Sequence, residues 1–264
     1  TDVPALPPTG IRELDRLGAV TRQMTQALGL FAIYVPRDLV RQLISHAAEA
    51  RLGGERRAVT VMFSDVQDFT ALAEQREPEE LMRIASTYFE ALTAELQRNH
   101  ATIDKFMGDA VMALWNAPRR DLAHAMHACE GALRARHVTE ALAAEFLARG
   151  WPALHTRFGL HSGEAVVGNV GTPDRMSYTA IGAVVNLASR LEALNKHYGT
   201  RILVSEATHR GAGRNFVFRS VDLVVPKGTT QPVEVFELLG LAHAPQPQDA
   251  ALVADPALVA GLPA

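Results

Sequence analysis

The chain of 264 residues has a single cysteine, two tryptophans and four tyrosines, and its basic and acidic residues nearly cancel at a net charge of −3. One cysteine, Cys129, excludes an intramolecular disulfide and any cysteine-rich zinc centre. It lies in the alanine-rich AHAMHACEGALRA and reads as a small buried side chain, which fits a reducing compartment. The lack of excess positive charge argues against general nucleic-acid binding, so any anion site must be local. Long apolar runs are missing too. The longest, LGLFAIYV, falls far short of a bilayer span. No signal peptide is readable and the first residue is Thr1, so a piece of a longer protein is expected. What remains is ordinary in glycine and proline and 48% hydrophobic, enough for a packed core.

The pattern along the chain divides it into three parts. TDVPALPPTG is a proline-rich lead-in. From Ile11, apolar residues recur at Leu14, Leu17, Met24, Leu28 and Phe31, with Thr21 interrupting a three-four spacing. A short coiled-coil seam and a lone amphipathic helix both fit. Pro36 ends or kinks this helix, and residues 38–46 read as a further turn or two. Residues 1–50 are therefore expected to form a helical linker. A polar, glycine-containing hinge, EARLGGERR, then leads into the strand-like AVTVMFSDV. A helix starts at Pro78-Glu79-Glu80 and runs to about His100. The strands ATIDKF and AVMALW flank a Met-Gly turn, and residues 121–148 read as a long helix. LHTRFGLHSGEAVVGNV reads as two strands joined at Ser162-Gly163, and AIGAVVNLASRLEALNKHYG as a helix closed by Gly199. RILVSEATH, NFVFRSVDLVVP and QPVEVFELL add strands and a short helix. The Ala/Pro-rich tail, 241–264, has little to bury. Alternating helices and strands over residues 55–240 predict an α/β or α+β domain.

Two stretches carry candidate chemistry. DKFMGDAVMALW places Lys105 and Asp109 four residues apart around a tight turn. A local ion pair is the simplest reading, although a surface pair adds little stability. Asp65 in MFSDVQDFT and Asp109 both sit where a strand meets a turn. Carboxylates there suit hard divalent cations, but aspartate also favours turns for its own sake. In YTAIGAVVNLASR, Asn186 and Arg190 share one helical face, suited either to a sugar and a phosphate or to plain solvation. Arg157 and Lys227 are further candidate phosphate contacts. His161 reads as an acid–base group or as a structural histidine.

FSDVQDFT, DKFMGDAV, RFGLHSGEAVVGNVG and YTAIGAVVNLASRLE, in this order and spacing, resemble the catalytic domain of the class III nucleotidyl cyclases. The resemblance implies a ferredoxin-like α/β core forming a head-to-tail homodimer, with its sites at the subunit interface. It implies that Asp65, Asp109 and the Val66 carbonyl hold two Mg2+ or Mn2+ ions, while Lys105 and Thr179 read the purine in the partner's site. Asn186 would then hold the ribose, Arg190 the α-phosphate, and Arg157 and Lys227 the terminal phosphates. Lysine only donates hydrogen bonds, which suits adenine N1, and Thr179 can accept from the 6-amino group, so ATP is the expected substrate and cyclic AMP the product. Guanylyl members of the family resemble this layout but carry an acidic residue at the lysine position. Many bacterial relatives read GDTVN where this chain has Gly182-Ala183-Val184-Val185-Asn186, a departure expected to alter local packing or regulation. The N-terminal segment resembles the output helix joining HAMP-type or other sensors to bacterial cyclases. It implies a cytoplasmic domain of a membrane-anchored receptor. A catalytically silent nucleotide-binding or dimerisation module and a guanylate cyclase are the alternatives.

Overall fold

The computed structural model describes residues 12–34, 52–172, 175–225 and 231–242, and the chain divides into two units, residues 1–51 and 52–264. In the first, α1 spans Arg12–Tyr34, with Leu14, Leu17 and Met24 exposed on it. The hydroxyls of Thr21 and Thr25 donate to carbonyls one turn earlier, each at 2.9 Å. The side chains of Leu28 and Phe31, the segment 38–46 and the tail beyond residue 242 lie outside the described residues.

The second unit is built on β1 (Gly53–Val66), whose even-numbered and odd-numbered side chains serve two different cores. Met62 and Val66 face one layer and Val59 and Val61 the other. Burial on both faces explains why AVTVMFSDV reads as a nearly continuous apolar run. The short α2 (Phe69–Gln75) and then α3 (Pro78–Arg98) follow; α3 buries Ile84, Tyr88, Leu92 and Leu96, one residue per turn. The hairpin of β2 (Thr102–Met107) and β3 (Ala110–Trp115) leads to α4 (His124–Ala148), which lies with α3 over the first face. Then come β4 (Thr156–Thr172), β5 (Arg175–Ile181) and α5 (Ala183–Tyr198), which covers the second face. The described residues finish with β6 (Ile202–Ser205), α6 (Glu206–Ala212), a 3-10 turn, β7 (Phe216–Val224) and β8 (Val233–Leu241). The sheet has the order β2-β3-β1-β4-β6-β8-β7, with β5 paired to β4. This is the mixed α+β architecture that the sequence predicted.

Three local expectations are corrected. LHTRFGLHSGEAVVGNV is one strand, paired without interruption to β1 from Gly53↔Asn169 to Val66↔Thr156. Ser162 suggests a turn because serine bonds readily to nearby backbone. Here its hydroxyl instead meets Thr60 at 2.8 Å and Thr208 at 3.0 Å, inside the core. The chain leaves this strand after Thr172 and turns again at Gly182 (φ 153°), so Ala180 and Ile181 close β5 and do not open the helix. The hinge EARLGGERR is partly strand, because Gly53–Arg57 pair with the far end of β4.

Helix α5 rests directly on β4. A Cβ added at Gly159 would lie 2.0 Å from the Glu192 nitrogen and 2.5 Å from the Ala188 oxygen, both backbone atoms. Asn195 reinforces the contact by donating its amide to the Phe158 carbonyl at 2.9 Å. Gly159→Ala should therefore lift α5 from the sheet and cost at least about 1–3 kcal/mol, as overpacking does. A thermal melt checks this; an unchanged midpoint would contradict the close approach.

Candidate active site

The register of β1 against β4 sets Asp65 directly opposite Arg157. Both side chains project toward the α5 face, and Arg157 Nη2 donates to Asp65 Oδ2 at 2.6 Å. The β2–β3 turn brings in a second carboxylate: Val66 N donates to Asp109 Oδ2 at 3.2 Å. Asp65, Val66 and Asp109 are thus gathered at one end of the sheet, as the two strand-end aspartates suggested. Burial, followed by the like charge of Asp65, raises the proton affinity of Asp109 above the usual carboxylate range.

Two residues that sequence reasoning missed complete this cluster. Glu192 Oε1 lies 3.4 Å from Arg157 Nε, and the two buried atoms have no hydrogen-bond partner among the described residues. Burial and then the charge of Asp65 push the Glu192 pKa up to about 7, against the pull of Arg157. Glu192 sits one turn beyond Ala188 on the buried side of α5, so a polar residue on an apolar stripe was the available signal. Tyr88 lies beneath, its hydroxyl sharing a 2.9 Å hydrogen bond with Thr156, and burial raises its pKa.

A second polar group forms where β2 meets β5. Lys105 Nζ is 3.4 Å from Thr179 Oγ1 and 3.4 Å from Asp104 Oδ1, and the Thr179 hydroxyl donates to Asp104. The ion pair of Lys105 is therefore with Asp104, its neighbour, and not with Asp109. Lys105 and Thr179 are brought together as predicted; Asp104 was missed. Its carboxyl is buried, and burial raises its pKa despite the bonds from Thr179 and Lys105.

The remaining candidates stand apart. Asn186 is exposed and Arg190 half-buried on α5. Among the described residues neither side chain forms a hydrogen bond or ion pair. Lys227 lies outside the described residues. His161 shares a 2.6 Å hydrogen bond with Ser205, and burial lowers its pKa to about 4, which fits its structural reading. One chain thus offers a carboxylate–arginine cluster, a separate donor–acceptor pair, and a helix face with an unengaged amide and guanidinium.

Residues 54–240 match the family model described as the adenylate and guanylate cyclase catalytic domain. Adenylate cyclase 1 of Rhizobium meliloti (strain 1021) is 39% identical over 234 residues, covering 89% of this chain and 35% of its own length. The chain thus spans about a third of that relative. The adenylyl cyclase CyaB from P. aeruginosa superposes with a TM-score of 0.66 at 32% identity, covering 71% of this chain and 96% of that one. The guanylyl cyclase Cya2 is equally similar, with a TM-score of 0.66 at 31% identity over 72% of this chain and 95% of that one.

The raised pKa of Glu192 has a consequence for stability. A carboxyl whose folded pKa exceeds its unfolded value favours the fold fully below about 4.5, and that contribution is lost as pH rises through about 7. In the presence of a chelator, the wild-type chain should lose roughly 1–3 kcal/mol relative to Glu192→Gln over this window. Urea unfolding of both proteins at several pH values measures it. A constant difference would show that Glu192 titrates normally.

Proposed function

The chain belongs to the adenylate and guanylate cyclase catalytic domain family, and from this premise we propose that it converts ATP to 3′,5′-cyclic AMP and pyrophosphate at sites shared between two copies. The observation that carries the choice of ATP is the Lys105–Thr179 pair. Lysine presents only donors, matching adenine N1, and the threonine oxygen can accept from the 6-amino group, whereas guanine reverses both.

The reaction is attack of the ribose 3′-oxygen on the α-phosphorus, with pyrophosphate leaving. Asp65, Asp109 and the Val66 carbonyl form an all-oxygen donor set of the kind that magnesium or manganese prefers alongside phosphate oxygens. The mutual repulsion of the two carboxylates is a charge that a cation would relieve. Divalent ions held there would acidify the 3′-hydroxyl and neutralise the triphosphate. Arg157, on the same face and ion-paired with Asp65 and Glu192, would turn toward the terminal phosphates. Arg190 would neutralise the α-phosphoryl oxygens and Asn186, one turn away, would orient the ribose. Lys227 would add a further phosphate contact. Positioning and charge compensation supply most of the rate in such transfers, so no side chain need act as general base.

Sharing between copies is what the family resemblance implies, and within one chain no hydrogen bond or ion pair among the described residues joins Lys105, Thr179, Asn186 or Arg190 to the Asp65–Asp109 cluster. A head-to-tail dimer would set the Asp65–Asp109 cluster of one copy against Lys105, Thr179, Asn186 and Arg190 of the other. The exposed apolar side chains of α1 suit pairing with a second α1, which would pass rotation from an upstream sensor of a membrane-anchored receptor to the catalytic pair. Residues 1–50 would then be the transducer, 55–240 the catalytic domain and 241–264 an Ala/Pro-rich tail. The described residues include no helix long and apolar enough to cross a membrane.

Incubation with ATP or GTP and manganese, followed by assay of cyclic product, tests the activity. Product from ATP in preference to GTP is expected, and none from either would favour a silent module. Asp109→Ala and Asn186→Ala should each lower activity at least about a hundredfold. Their equimolar mixture should recover about a quarter of wild-type activity, because half the dimers regain one of two sites. No recovery, with mixed dimers demonstrated, would contradict shared sites.

A further inference from the structure

Asp104 and Lys105 are consecutive residues of β2, and in a regular strand their side chains would point to opposite faces. They do not. The β2–β3 register shifts between Ile103↔Ala113 and Lys105↔Met112, so Asp104 is the additional residue of a β-bulge. The bulge lets both neighbours reach Thr179 of β5: Lys105 Nζ at 3.4 Å from its hydroxyl, and Asp104 accepting from that hydroxyl. The Asp104 side chain is only 2% exposed, yet it lies beside an exposed lysine and has no cation other than Lys105 paired with it among the described residues.

A threonine hydroxyl has one proton and can act either as donor or as acceptor. An ionised carboxylate only accepts. With Asp104 ionised, as bonds from both Thr179 and Lys105 favour, the single proton of Thr179 is committed to Asp104. The Thr179 oxygen then faces the site with lone pairs alone, and Lys105 with N–H groups alone. A neutral partner at position 104 would free the hydroxyl to rotate and donate.

We propose that Asp104 is a specificity-determining positioning residue, which fixes Thr179 as a pure hydrogen-bond acceptor and so excludes a purine carrying a carbonyl at C6. This rests on the reading of Lys105 and Thr179 as the purine contacts and deepens it. Adenine, with its 6-amino donor, satisfies the fixed acceptor. Guanine would set O6 against the Thr179 oxygen, two acceptors with no proton between them. A site that leaves buried polar groups unpaired rejects the wrong ligand strongly.

The test is Asp104→Asn, nearly identical in shape, in the full chain. Both kcat/KM and equilibrium binding of fluorescent ATP and GTP analogues are measured for it, for Thr179→Val and for the double variant. The ATP-to-GTP preference of Asp104→Asn should fall about tenfold or more, chiefly through improved use of GTP. In the Thr179→Val background the same substitution should leave the ratio unchanged, since Asp104 acts through that hydroxyl. Where Asp104→Asn does not fold, Asp104→Ala, which leaves no buried amide, is expected to give the same loss of preference. Equal losses for both nucleotides, or a change that persists in the Thr179→Val background, would overturn the proposal. Product formation by the unsubstituted chain judges the cyclase reading separately: a chain that binds without turning over still reports its base preference, and the absence of any preference in binding would overturn the role of Asp104.

Discussion

The antiparallel ladder between β1 and β4 governs everything else in the catalytic unit. Fourteen consecutive pairs run from Gly53↔Asn169 to Val66↔Thr156, and a slip by one residue would turn every side chain to the opposite face. At one end the ladder opposes Asp65 to Arg157; at the other, the extension of β4 carries β5, and with it Thr179, to the neighbourhood of β2. Two pairs from Asp65–Arg157, Gly159 admits the backbone of α5. The ladder therefore fixes three positions at once: the acidic end, the Lys105–Thr179 pair and the helix that bears Asn186 and Arg190. Its core is buried on both faces, which removes the freedom to slide.

Charge at the acidic end is deliberately unbalanced. Asp65 and Glu192 both pair with the guanidinium of Arg157, Asp109 lies beside Asp65, and two of the three carboxyls have raised proton affinity. Burial is the larger cause in each, and mutual repulsion adds to it. A cluster of this kind is poorly suited to stabilising the fold by itself, because buried charges cost more than their attraction returns unless every atom is satisfied. It is well suited to receiving positive charge together with phosphate oxygens. The proposed catalytic role and the electrostatic strain are two aspects of the same arrangement.

Much of this was legible in the sequence. Strand-end aspartates at residues 65 and 109, Arg157 on a strand, and the shared helical face of Asn186 and Arg190 follow from periodicity and position. The separation of Lys105 from Asp109 was also signalled, since two strong charges beside a two-residue turn are poorly explained by a surface pair. The errors share one cause. Ser162-Gly163 has turn chemistry, and only the fold supplies Thr60 and Thr208 as partners for the serine. Ala180-Ile181 fits a strand end or a helix start equally well by pattern. Asp104 is hidden by a bulge, and Glu192 by a contact with a strand thirty-five residues earlier (Arg157 on β4). Each depends on a tertiary neighbour that local spacing does not encode.

The acidic cluster and the Lys105–Thr179 pair are proposed to work on one nucleotide only when contributed by different copies. A crystal structure with a non-cyclisable ATP analogue and a divalent cation tests it most directly. With shared sites, phosphates and cation lie against Asp65 and Asp109 of one protomer, with the base between Lys105 and Thr179 of the other. A nucleotide held by both groups of a single protomer would contradict it.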